Sequence, residues 1–129
     1  MALFTNQATL SYNDNVVNSN IVTGEIVQVL TVSKTALSDT YERDKTITYI
    51  VNIVNSSDSD FTNLSINDNL GEYSFNSGSL VPLTYVNNSI RYFINGDLQT
   101  APTVTSVSPL IATNITVPAN GNATVVYSA

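Results

Sequence analysis

Apolar residues recur at every second position through most of this chain, and no stretch carries the three-to-four-residue spacing of an amphipathic helix. Residues 4–12 put Phe4, Asn6, Ala8, Leu10 and Tyr12 on one face and Thr5, Gln7, Thr9 and Ser11 on the other. Residues 26–34 put Ile26, Leu30, Val32 and Lys34 together. Residues 46–55 align Ile47, Tyr49, Val51, Ile53 and Asn55, and residues 61–68 align Leu64, Ile66 and Asp68. Further strands are expected at 89–95, 102–108, 110–117 and 123–128. Asn95-Gly96 between two such runs is a tight-hairpin signal, and Pro118–Asn122 reads as the turn before the last strand. Asn13–Asn20 reads as a flexible connection. A chain of 129 residues patterned in this way is expected to form one all-β domain, residues 1–129, an immunoglobulin-like antiparallel β-sandwich of roughly nine strands.

The surface chemistry narrows the function. Charged residues are only 11% of the chain, so its polarity comes from 17 Asn, 16 Thr and 15 Ser, residues suited to strands and bends. Ten acids face only Lys34, Arg43, Lys45 and Arg91, giving a net charge of −6. Such a surface repels phosphate, which argues against nucleic acid or an anionic membrane as partner. No apolar run approaches the roughly 20 residues of a spanning helix. The opening residues carry neither a basic region nor an apolar stretch of the signal-peptide kind. The expectation is a piece of a larger exported protein, or a subunit assembled without the general secretory route.

With no histidine and no cysteine, the usual general bases, nucleophile pairs and transition-metal clusters are missing. Glu25, Glu42 and Glu72 lie in or beside turns and form no facing carboxylate pair of the glycosidase kind. Asp58-Ser59-Asp60 has too few ligands for a calcium loop and reads as a solvated turn. The Asn-x-Ser/Thr sequons at Asn55, Asn63, Asn87, Asn114 and Asn122 are what an Asn- and Thr-rich chain contains by chance. No enzymatic activity, cofactor or metal is expected.

Four segments resemble the conserved repeat domain of bacterial surface proteins, the family termed domain of unknown function eleven. They are Leu30-Thr-Val-Ser-Lys34, Lys45–Asn55, Leu64–Leu70 and Val81–Ser89, about half the chain in the family's order. The resemblance implies tandem immunoglobulin-like modules in adhesins, stalks and envelope proteins, without catalysis. Asn6-Gln-Ala-Thr-Leu-Ser-Tyr12 is similar to a strand that in the family ends one repeat before the next begins. Its position here implies a chain permuted relative to one repeat, with residues 1–12 as an edge strand to lend or borrow. Gram-positive pilin modules, which this pattern also resembles, join a lysine to an asparagine through a spontaneous isopeptide bond assisted by an acid. The residues that match are Lys34, Asp68 and Asn6, with Asn55 as a competing partner. The bland reading is that Lys34 snorkels at a sheet edge, Asp68 caps a turn and Asn6 satisfies backbone groups.

Together these readings describe a structural module of a bacterial surface or spore-surface assembly (a fibre, appendage or stalk subunit), associating with itself or with neighbouring repeats. The alternative is an adhesin module binding a host protein or a glycan.

Overall fold

A computed structural model of the chain describes residues 2–129, with side chains from Leu3 onward. The described residues are all-β, with fourteen strands in five antiparallel sheets and no helix. The strands are β1 (Ala2–Asn6), β2 (Thr9–Tyr12), β3 (Asn15–Asn18), β4 (Val22–Ile26), β5 (Leu30–Ala36), β6 (Thr48–Asn55) and β7 (Phe61–Asp68). They continue with β8 (Tyr73–Phe75), β9 (Gly78–Leu80), β10 (Arg91–Ile94), β11 (Asp97–Gln99), β12 (Thr103–Val107), β13 (Leu110–Val117) and β14 (Asn122–Ser128).

Residues 30–129 hold the core. One sheet has the order β11-β10-β14-β6-β5, and a second has the order β12-β13-β7. Alternation along β6, β13 and β14 sends Val51, Ile53, Ile115, Val117, Val125 and Tyr127 into a single buried cluster shared by both sheets. Tyr92 on β10 ties the sheets across this core, its hydroxyl donating to the Thr116 carbonyl at 2.6 Å and accepting from the Thr116 N–H at 2.8 Å. Asn95-Gly96 forms the expected two-residue hairpin, both residues with positive φ, bringing Ile94 opposite Asp97. Among the described residues ten non-glycines adopt positive φ, seven of them Asn, which tolerates that region because its short polar side chain bonds locally.

The N-terminal quarter departs from expectation. Residues 4–12 do not make one strand, and 13–20 is not a loose connection. Asn13 and Asp14, at φ 43° and 63°, make a tight turn that sends the chain back as β3 and β4. The result is one long two-stranded ribbon with a one-residue change of register, from Phe4 opposite Gly24 to Leu10 opposite Val17. Gln7, Ala8 and Ser19 hold that irregularity through three hydrogen bonds of 2.8–2.9 Å. Residues 26–34 likewise divide, Ile26 closing β4 and Leu30 opening β5. The ribbon, these divisions and the small β8–β9 hairpin account for the excess over nine strands. From Leu3 to Gln28 every residue but Gly24 is exposed, among them Leu3, Phe4, Leu10, Tyr12, Val16 and Ile21. An isolated two-stranded ribbon is marginal in water, and this one buries nothing.

Asn55 explains why one polar residue sits in the core. It is 1% exposed. Its Nδ2 donates to the carbonyls of Ser59 at 2.8 Å, Pro118 at 3.0 Å and Val117 at 3.3 Å. Its Oδ1 accepts from the N–H and hydroxyl of Ser57. The side chain therefore clamps the β6–β7 connection to the turn before β14. Asn55→Ala leaves these groups without partners and should cost roughly 2–4 kcal/mol of stability, read from urea unfolding.

Candidate functional site

At one end of each sheet a strand has no outer partner. Among the described residues β5 pairs only with β6, and β7 only with β13. These two free edges flank a groove of about 420 Å³ whose floor and walls are Leu30, Val32, Val51, Ile53, Leu64 and Ile66. Val32 lies on the same face as Leu30 and Lys34 yet is 70% exposed. A strand that should be covered on its inner face is open.

The groove ends at a polar cluster. Lys34 is the last residue of β5 that lines the groove, and Asp68 the last residue of β7. Lys34 Nζ donates to Asp68 Oδ2 at 2.6 Å. The Tyr127 hydroxyl donates to the same oxygen in a short hydrogen bond. The Leu70 N–H donates to Oδ1 at 3.0 Å, so both carboxylate oxygens are engaged. The ammonium stands 4.5 Å from the centroid of the Tyr49 ring and 5.9 Å from that of Tyr127. The two rings are themselves paired across β6 and β14, 5.8 Å apart. The lysine head is thus held by a carboxylate and two aromatic faces.

The bend after β7 presents the acid. Leu70 and Gly71 both adopt positive φ, at 56° and 77°. For a branched side chain this is an unfavourable conformation, held by burial of Leu70 to 1% exposure and by its bond to Asp68. The Asn69 side chain accepts from the Gly71 N–H at 3.1 Å and closes the same bend.

Burial raises the Asp68 carboxyl. The hydrogen bonds from Lys34, Tyr127 and the Leu70 N–H, with the lysine's charge, outweigh it and leave the group below the ordinary carboxylate value. Burial, and then the hydrogen bond to Asp68 and its charge, push the Tyr127 hydroxyl strongly upward, so it remains a donor at any physiological pH.

Of the four residues singled out in the sequence, the structure brings Lys34 and Asp68 together. It sets Asn6 apart, opposite Val22 on the ribbon and exposed. Asn55 lies opposite Leu30, whereas Lys34 lies opposite Val51, four residues along β6. That separation is about 13 Å of strand, and the Asn55 amide is committed elsewhere. In the sequence Tyr49 aligns with the apolar residues of its run and Tyr127 lies within the expected strand 123–128. Their service to Lys34 follows from the β6–β14 register, which the sequence does not display. Asp58 and Asp60 are not merely solvated: Asp60 accepts from the Ala119 N–H at 2.8 Å and Asp58 from the Asn120 side chain at 3.1 Å, pinning the turn before β14. No family model, curated protein or solved structure matches the chain.

Two measurements probe the cluster. Tyr127→Phe removes a hydrogen bond to a charged, largely buried acceptor and should cost about 1.5–3 kcal/mol by chemical denaturation. Because the Asp68 carboxyl is depressed in the folded state, its contribution is present above the unfolded value of about 3.9 and is lost as pH falls through the lower folded value. Between about pH 6 and pH 2 the wild type should therefore lose more urea stability than Asp68→Asn.

Proposed function

We propose that this chain is a structural subunit of a bacterial surface or spore-surface assembly, an immunoglobulin-like sandwich that lacks an edge and receives it from a neighbour. One observation carries the reading: an apolar groove between two unpaired sheet edges in the same chain as an apolar ribbon that has no core. Unpaired edges recruit strands, and a strand added in this way gains main-chain hydrogen bonds while alternate side chains fill the groove. The ribbon is chemically suited to that place. Residues 2–12 carry no charged side chain, so burying this arm desolvates no ion. Of the alternate positions Phe4, Asn6, Ala8 and Leu10, three are apolar, which suits a groove floored by Val51 and Ile53. The resemblance of Asn6–Tyr12 to a strand that closes a preceding repeat supports the same assignment. Each subunit then offers one ribbon and one groove, a head-to-tail relation that extends into a fibre.

Deleting residues 1–26 should convert a polymerising protein into soluble monomers, by light scattering and negative-stain microscopy. A synthetic peptide of that sequence should bind the truncated protein one to one. A full-length protein that stays monomeric at high concentration, or a deletion that leaves assembly intact, refutes the reading.

A further inference from the structure

Each sheet has a second edge, away from the groove. β11 ends the five-stranded sheet opposite β5, and β12 ends the three-stranded sheet opposite β7. On that side, residues from 85–91 and 101–107 line a cavity of about 710 Å³. Ile90, Pro102, Val104 and Val107 give it aliphatic walls. An adjoining cavity of about 250 Å³ shares Tyr85, Asn87 and Val107 with it and adds Val81 and Leu83. This volume is of the order that a small ligand fills.

The polar groups of the cavity are placed but unspent. Arg91 Nη1 donates to the carbonyls of Asn88 and Ile90, both at 2.8 Å, which fixes the guanidinium. Among the described residues no acid stands within ion-pair distance of Arg91, and its Nε and Nη2 make no hydrogen bond. Those two nitrogens form an edge of the kind that grips a carboxylate through two parallel hydrogen bonds. Tyr85 is 6% exposed, and its hydroxyl is buried without a hydrogen-bond partner among the described residues. Such a group costs stability, and folded chains keep few of them. The exposed Asn87 side chain stands at the same cavity with an amide that both donates and accepts.

We infer that this cavity binds a carboxylate carried on a branched aliphatic body, either a free acid or the carboxyl end of a peptide. The carboxylate occupies the Arg91 fork, and its remaining lone pairs accept from the Tyr85 hydroxyl. The aliphatic body lies against Ile90, Pro102 and Val104 and leaves water. Other ligands fit less well. A polyanion meets a chain of net charge −6, whereas one carboxylate needs only the one cation. The lining offers no exposed aromatic ring on which a sugar could stack. The inference stands apart from strand donation, because no residue lines both this cavity and the groove.

Saturation-transfer NMR on the full chain reads binding whether or not the protein assembles. Isovalerate and N-acetylvaline should both receive saturation, and N-acetylvalinamide, which lacks the charge, should receive none. Arg91→Gln should weaken both acids by roughly tenfold or more, the weight of one hydrogen bond to a charged group. Tyr85→Phe should weaken them by about tenfold as well. The same variant should leave the urea stability of the free protein unchanged or higher, because the hydroxyl it removes has no partner there. N-acetylvaline bound more tightly than isovalerate, with Asn87→Ala removing the difference, assigns the site to a peptide carboxyl end, and equal affinities assign it to the free acid. Absence of saturation, equal saturation of the amide, or full affinity in Arg91→Gln overturns the site. Glucuronate binding as well as the two acids overturns the aliphatic body in favour of a sugar. A Tyr85→Phe chain less stable than wild type shows the hydroxyl bonded within the fold and overturns its part in binding.

Discussion

Seven consecutive residue pairs join β14 to β6, from Asn122 opposite Val54 to Ser128 opposite Thr48. This ladder links residues 68 to 80 positions apart and sits at the centre of the five-stranded sheet. Everything else hangs from it. β10 pairs with the outer side of β14, β5 with the outer side of β6, and the inward residues of both central strands supply much of the core that the second sheet covers. The Asn55 clamp and the Asp58 and Asp60 contacts stand at one end of the ladder, and the Tyr49–Tyr127 pair stands near the other. The two ends differ in kind, one fastening loops and the other holding a cation over a carboxylate.

Elements buried on at least one face were the ones alternation could reveal. β7 and β13 begin and end where the pattern places them, and β6, β12 and β14 differ by a residue or two. The Asn95-Gly96 hairpin follows from the conformational needs of a two-residue turn, a purely local matter. The N-terminal quarter was misread because periodicity reports which side chains share a face and not which strand lies beside them. Phe4–Tyr12 alternates cleanly, yet its continuity is broken by a register change set by the returning arm. The return itself was obscured because Asn13-Asp14 sits in a run so rich in Asn that no single turn stood out.

The candidate site was half legible for a related reason. Lys34 and Asp68 fall on the inward side of their strands, so sequence alone could place both in or near the core. Their meeting depends on two different sheets packing so that Lys34 on β5 reaches the end of β7, which no spacing along the chain encodes. Asn6 illustrates the converse. Its position on an apolar face is plain from alternation, yet in the structure that face is exposed and the pattern does not show it. Val32 and the apolar residues of the ribbon are all exposed, two surfaces that the proposed strand donation would bury against each other.

The chain turns its corners chiefly with asparagine, at Asn13, Asn76, Asn88, Asn95 and Asn120, places Asn63 and Asn114 at irregularities in the β7–β13 pairing, and has only five glycines. A glycine at each bend would reach the same backbone angles with less strain, but it would also roam more widely when unfolded. Asparagine narrows that wandering while still tolerating the left-handed region, so each bend gives up less disorder on folding. Entropy withheld from the unfolded state is a form of stability independent of charge and disulfides, and it suits a protein with few ionic contacts and no cysteine.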